Sequence, residues 1–256
     1  MESMKLLALE ASANTVSLAV QNARGRFTDE MPSSNKASAW LIPALLKLLE
    51  VAQINLNDLD AILFGQGPGA FTGLRTVCSV VQGLSLGLNE SLPIYGVDTL
   101  HQLAQAGLNS ATPKARLTSS MEDPLQFFCI LDARMDEWYV ATYEYKNLQW
   151  SCSQSPVICK PEVLNFPSSW SHLEFTLCSN IDAPQLQKHN EQLFQNPLLR
   201  FSHVFPNASL CLDLAQQLLL SSSAGGELLS PLRATPVYIR DRVALTTQER
   251  ERAKLI

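Results

Sequence analysis

The sequence predicts an α/β protein made of two successive units that each open with three strands, the second unit degraded relative to the first. Three observations carry this. Residues 5–31 hold three short strand patterns separated by the turn signals "ASAN" and "NARG", and a second run of three begins at residue 125. From residue 37 to 108, stretches with helical spacing alternate with short apolar runs. A polar stretch, 109–124, separates the two units. Antiparallel hairpins followed by strand–helix crossovers indicate a mixed sheet covered by helices.

The elements follow in order. "KLLALE" (5–10) is a short apolar strand, "TVSLAVQ" (15–21) alternates apolar and polar residues, and "RFTDEM" (26–31) returns. "ASAWLIPALLKLLEVAQI" (37–54) has helical spacing, with Pro43 in its first turns, where proline is best tolerated. "LDAILFG" (59–65) is a buried strand and a helix covers about 72–88. "PIYGV" (93–97) is a strand, and 98–108 a helix capped by Asp98 or Thr99. Residues 1–108 thus read βββαβαβα. In the second unit, strands fall at 125–133, 137–145 and 148–155, a short helix near Glu162–Phe166, and strands at 174–179 and 201–205. The helix 209–223 is expected to complete the first lobe, with 125–205 as a reduced second lobe and 226–256 as a tail. The charged "LTTQERERAKLI" in that tail reads as a solvated end.

Composition narrows the function. The 256 residues are 46% hydrophobic and 17% charged, an ordinary globular balance. A net charge of −5 and no basic run make the lone chain a poor ligand for nucleic-acid phosphates. Glu10 interrupts the short apolar stretch near the N-terminus, so no signal peptide is expected, and no run suits a membrane helix; translation is expected to start at Met4 rather than Met1, since the first strand begins there. The six cysteines, Cys78, Cys129, Cys152, Cys159, Cys178 and Cys211, form no C-x-x-C pair and read as reduced, mostly buried thiols of a cytoplasmic protein.

The stretch "GQGPGAFTGLR", Gly65 to Arg75, packs four glycines and a proline between a strand and a helix. No lysine follows the glycines, so it is not a Walker A loop. A dinucleotide fingerprint fits by letters as Gly65-x-Gly67-x-x-Ala70 with Glu90 downstream, yet Pro68 removes an amide donor and Glu90 follows a helix end. In the helix, Leu74, Val77, Cys78, Val81, Leu84, Ser85 and Leu88 share one face, which should pack on the sheet. Thr76, Ser79, Val80, Gly83 and Gly87 share the opposite face, small and uncharged. Pattern alone leaves two readings of it: cover by another element of the same chain, or a close helix–helix interface with a second chain.

This signature, followed by a small-faced helix and "PIYGVDTL", closely resembles the TsaB (YeaZ) family, whose pattern is G-x-G-P-G-S-F-T-G-[LV]-R, here with Ala70 at the serine. "LALEASANTVSLAV", "LDARMDEWYVA" (131–141) and "PVYIRDRVA" (236–244) match as well; residues 155–205 match least. The resemblance implies the two-lobed fold of actin, Hsp70 and sugar kinases, with a reduced second lobe. It implies an accessory subunit, without catalysis of its own, in synthesis of threonylcarbamoyladenosine on tRNA. It implies pairing, with itself or with the catalytic subunit TsaD, through the helix after the signature: Thr72, Arg75, Thr76, Ser79, Val80, Gly83 and Gly87. Gly65, Gly67, Pro68, Gly69, Phe71 and Gly73 would form the turn that starts that helix. TsaE, an ATPase, would join the complex, tRNA would be met only through it, and ATP or ADP would be held only within it.

The nucleotide parts of that fold read as remnants. Glu10 stands where an aspartate is usual, beside Ser12 in the first hairpin. The second lobe opens with "LDARMDE", which lacks glycine; Asp132 and Arg134 read as a local pair at a strand end. Gly225-Gly226 reads as a helix stop. His101, His172, His189 and His203 have no metal-ligand spacing, and "SSNKASAWLIP" has no histidine where TsaD has its pair. The rival readings are an ATP-dependent kinase of the same fold, a metallopeptidase, and a self-associating dimer with no other partner.

Overall fold

The computed structural model describes residues 4–33, 37–88, 92–111, 123–164, 166–167, 170, 172–220 and 228–240. The first unit contains β1 (Leu6–Glu10), β2 (Thr15–Asn22), β3 (Gly25–Pro32), α1 (Ala37–Ala52), β4 (Ala61–Gly67), α2 (Phe71–Leu88), β5 (Ile94–Asp98) and α3 (Thr99–Ala111). The second contains β6 (Leu125–Asp132), β7 (Trp138–Lys146), β8 (Gln149–Cys159), β9 (Phe175–Ser179), α4 (Ala183–His189), β10 (Leu199–His203) and α5 (Ala208–Leu220). A two-residue strand, β11 (Leu228–Leu229), follows. The Glu90 and Gly225-Gly226 readings, most of the 109–124 stretch and the tail beyond Arg240 lie outside the described residues.

The strands form two sheets with matching orders, β11-β5-β4-β1-β2-β3 and β10-β9-β6-β7-β8. The second order repeats the first position by position: an antiparallel meander, then two strands added in parallel beside its first member. The crossovers differ. Where the first unit has the 16-residue α1 and the 18-residue α2, the second has a 3-10 turn at Pro161–Val163 and the seven-residue α4.

The layers follow from side-chain alternation. Leu7, Leu9, Ile62 and Phe64 point to one face of the first sheet, under α1 and α2, and α1 buries Leu41, Ala44, Leu45, Leu48, Leu49 and Ala52 at helical spacing. Leu6, Ala8, Ala61 and Leu63 point to the other face, into a core shared with α3, α5 and the inner face of the second sheet. The last helix of each unit crosses over: α3 packs on β6, β7 and β9, and α5 packs on β1, β2 and β4. A third core of Phe128, Ile130, Trp138, Trp170, Phe175 and Leu177 lies on the far face of the second sheet.

Four details differ from the sequence expectations. The third strand of the second unit runs past Pro156 to Cys159, because β8 is an edge strand and its register with β7 shifts between Val140 and Tyr143. The helix expected near Glu162–Phe166 is the single 3-10 turn Pro161–Val163. The strand expected at 201–205 starts earlier, at Leu199. Helix α4 was not legible: its start is marked by Asp182, whose carboxylate accepts from the Gln185 amide, but Leu186 is its one fully buried side chain.

Candidate functional site

The glycine turn is shaped by what it lies against. A side chain at Gly65 would land on the Glu10 carboxylate, at Gly69 on the Ser12 carbonyl, and at Gly73 on the Ala11 carbonyl. Three glycines at four-residue spacing thus let the end of β4 and the first turn of α2 press onto the β1–β2 hairpin. Gly67, with φ +108°, is in the left-handed region that glycine favours, and its peptide to Pro68 is cis. The Ala70 amide donates to the Ser12 carbonyl at 2.7 Å, and the Leu74 amide then bonds Ala70 to open the helix.

Helix α2 buries Leu74, Val77, Cys78, Val81 and Ser85. Leu84 and Leu88, expected on that face, are half-buried. On the opposite side Ser79, Gly83 and Gly87 are exposed, Thr76 and Val80 half-exposed, and Thr72 exposed, with the Thr76 hydroxyl donating to the Thr72 carbonyl at 2.9 Å. Among the described residues, nothing lies within 4 Å of a Cβ built at Gly83 or Gly87. Phe71 and Leu86 add exposed apolar surface, at 44% and 51% of their area. Burial pushes the Cys78 thiol up to about 12, so it is inert.

Arg75 is turned aside. Its guanidinium lies 3.7 Å over the Phe71 ring, and its Nε donates to the Tyr238 hydroxyl at 2.9 Å. Tyr238 belongs to a C-terminal segment that crosses the glycine turn. The Gln82 side chain donates to the Ala234 carbonyl (3.1 Å), that of Gln66 to Thr235 (3.0 Å), and the Val237 amide to Gln66 (2.8 Å). The last described residue of the segment is Arg240, whose Nη2 donates to the carbonyls of Ala133 and Arg134 and pairs with Glu137 at 2.7 Å. The signature reading missed this segment; "PVYIRDRVA" was its visible trace, but its partners lie 100 to 170 positions away.

The residues expected as nucleotide-site remnants bond within the protein itself. Glu10 is 1% exposed, and its carboxylate accepts from the Ser12 amide and the Gln102 side chain. Burial raises its pKa above the usual carboxylate range. Among the described residues, the Ser12 hydroxyl and Gln102 Oε1 are buried without a hydrogen-bond partner. Asp132 and Arg134 pair at 3.5 Å, and Arg134 also donates to Asn14 of the first hairpin at 3.2 Å. Despite the missing glycine, Arg134, Met135 and Asp136 all have positive φ, 62°, 58° and 56°. Asp98 caps α3, accepting from the amides of Leu100 and His101, and burial raises it to about 6. His101 stacks on Tyr143, with ring centres 4.9 Å apart, and burial lowers it to about 3.

His101, His189 and His203 each pack against an aromatic ring. No group of three metal-ligating side chains occurs among the described residues, and the six cysteines are free. No helix among the described residues is long and apolar enough to cross a membrane.

Known proteins agree with this architecture. A family model described as "TsaD: tRNA N6-adenosine threonylcarbamoyltransferase" matches residues 32–215. The tRNA threonylcarbamoyladenosine biosynthesis protein TsaB of Escherichia coli is 28% identical over 246 residues, covering 94% of this chain and 96% of its own. TsaB of Haemophilus influenzae is 26% identical over 264 residues, 95% of this chain and 96% of its own. The solved structure of YeaZ from Pseudomonas aeruginosa superposes with a TM-score of 0.74 at 27% identity, covering 92% of this chain and 99% of that one. With the family model spanning most of its length and the two-lobed actin/Hsp70/sugar-kinase-like fold in place, the chain belongs to the TsaD family of threonylcarbamoyladenosine proteins, in its TsaB (YeaZ) group.

Proposed function

We propose that this chain is a scaffold in the synthesis of N6-threonylcarbamoyladenosine beside the anticodon of tRNA, without catalysis of its own. It pairs with and activates a TsaD-type catalytic subunit through α2. A TsaE-type ATPase joins the assembly, and tRNA is met only through the complex, in the cytoplasm. The same face serves for pairing with a second copy of the chain.

One observation carries this reading. The outer face of α2 presents an exposed Ser79 and, among the described residues, open space above Gly83 and Gly87, flanked by the exposed apolar side chains of Phe71 and Leu86. Interior helix glycines cost up to about 1 kcal/mol each, and a close-approaching helix would repay that.

The lone chain binds no nucleotide in this reading, and ATP or ADP is held only within the complex. The residues present do not fit a phosphate and its metal. Glu10 is sealed under Ser12 and Gln102, the Ala70 amide is engaged by Ser12, and the second-lobe turn is filled by the Arg240 guanidinium. The same occupancy weighs against the kinase reading.

The test is mass by light scattering on eluting peaks, with the chain alone and then mixed with a TsaD-type counterpart. A dimer that gives way to a mixed complex is expected, with Gly83→Arg abolishing both while the fold persists. A chain indifferent to the counterpart, or a Gly83→Arg variant that assembles normally, would overturn the reading.

A further inference from the structure

The segment after β11 bridges the two lobes at one spot. Its first part is held on the first lobe. Ala234 is fully buried in the core beneath α2, its carbonyl accepts from Gln82, and the Val237 amide and Gln66 carbonyl bond at 2.8 Å. Tyr238 stands beside Phe71, ring centres 5.4 Å apart, and takes the hydrogen bond from Arg75. Its last described residue grips the second lobe. Arg240 donates to Ala133 O at 2.9 Å and Arg134 O at 3.1 Å, reaches Met135 Sδ at 3.2 Å, and pairs with Glu137. Six residues extended cover about 20 Å, enough to join the outer layer of one lobe to a turn of the other.

The gripped turn needs a grip. Three successive non-glycine residues, Arg134 to Asp136, have left-handed backbone, a conformation that L-residues seldom adopt singly and rarely in series. The turn's own backbone bonds are few: Ala133 N to Glu137 O at 2.9 Å and Glu137 N to Arg134 O at 3.3 Å. Arg240 ties the two carbonyls and the carboxylate of that turn to one charged group whose side chain is 15% exposed, against 72% for Arg134 and 49% for Arg200. Charge-assisted bonds are roughly twice as strong as neutral ones, and solvent and salt screen this site less than a solvent-exposed pair.

We propose that residues 234–240 form an interlobe strap: anchored on β4 and α2, it latches the β6–β7 turn through Arg240, holds that turn in its left-handed form, and fixes this end of the second lobe on the first. The strap is a property of the lone chain and does not rest on the pairing of α2 with a partner.

The test is hydrogen exchange of the lone chain, followed by mass spectrometry over residues 131–139. Arg240→Gln raises exchange in this segment at least tenfold. Tyr238→Ala, which removes an anchor on α2 rather than a contact with the turn, raises it several-fold. Arg200→Gln, which breaks an ion pair with Glu174 on the same sheet, leaves it unchanged. Unchanged exchange in Arg240→Gln overturns the latch. A rise in Arg240→Gln without one in Tyr238→Ala overturns the strap, leaving a local staple. If Arg240→Gln does not fold, Glu137→Gln is read instead: it keeps the carbonyl bonds and loses the ion pair, and a rise of less than twofold overturns the proposal.

Discussion

Gly73 of α2 and Ala11 of the β1–β2 turn meet backbone to backbone, with no room for a methyl group between them. Ten residues further along the same helix, Gly83 faces open space among the described residues. The two glycines therefore answer substitution differently. Gly73→Ala forces the helix off the hairpin and is expected to cost about 1–3 kcal/mol, the usual range for overpacking. Gly83→Ala is expected to stabilise the lone chain by up to about 1 kcal/mol through helix propensity. Urea denaturation of both variants checks the pair, and a Gly73→Ala chain as stable as wild type would disprove the close approach.

Asp98 and His101 pull stability in opposite directions with pH. Burial raises Asp98 from its ordinary 3.8 to about 6, so between these values the folded state holds the extra proton and stability rises as pH falls. Burial lowers His101 from its ordinary 6.5 to about 3, so below 6.5 the unfolded state takes the proton and stability falls as pH falls. Over pH 4–6 the two slopes, each at most about 1.4 kcal/mol per pH unit, oppose one another. His101→Phe keeps a ring against Tyr143 and removes one slope. Its stability relative to wild type is expected to grow steadily from pH 6.5 to 4 in chemical denaturation; a constant difference would rule out a buried neutral imidazole.

Glu10 is buried with its pKa raised, so its ionisation destabilises the fold as pH climbs above the ordinary carboxylate value. Glu10→Gln keeps an acceptor for the Ser12 amide and, with the Gln102 amide turned over, gives Gln102 Oε1, now without a partner, a donor. The variant is expected to melt higher than wild type at pH 8, with the gain shrinking toward pH 4. A lower melting point at pH 8 would mean that the charge, not the shape, is what the site requires.

Trp150 joins three layers. It lies among Phe127, Tyr145 and His101, with ring centres 4.9 to 5.2 Å away; its indole donates to Gln105 at 2.9 Å on α3, and its backbone exchanges two bonds with Gln217 on α5. Trp150→Phe leaves a void and an unpaired Gln105 oxygen, for an expected loss of about 2–4 kcal/mol by denaturation. A loss below 1 kcal/mol would show that the cluster repacks.

How much of this was legible depended on the range of each interaction. Strand and helix patterns rest on neighbours one to four positions apart, so β1 to β7 and the faces of α2 could be read directly, and the α3 cap could be narrowed to Asp98 or Thr99. The small outer face of α2 could be read too, because an unoccupied side of a helix leaves a compositional gap. The packing of α3 on the second sheet could not, since its apolar stripe says that it is covered but not by which sheet. Arg240 was invisible for a related reason. Its partners are mostly backbone carbonyls, which carry no residue signature, and the left-handed turn they form is built without glycine, the residue that would have announced it.

The crossover of the two last helices sets an order on synthesis. Strands β1 to β5 leave the ribosome first, but the inner face of their sheet, with Leu6, Ala8, Ala61 and Leu63, is covered by α5, which is made only after the whole second lobe. A nascent chain therefore carries an apolar sheet face covered only in part, by α3, until α5 is made, the condition under which folding intermediates aggregate. The half that is made first is the half that is finished last.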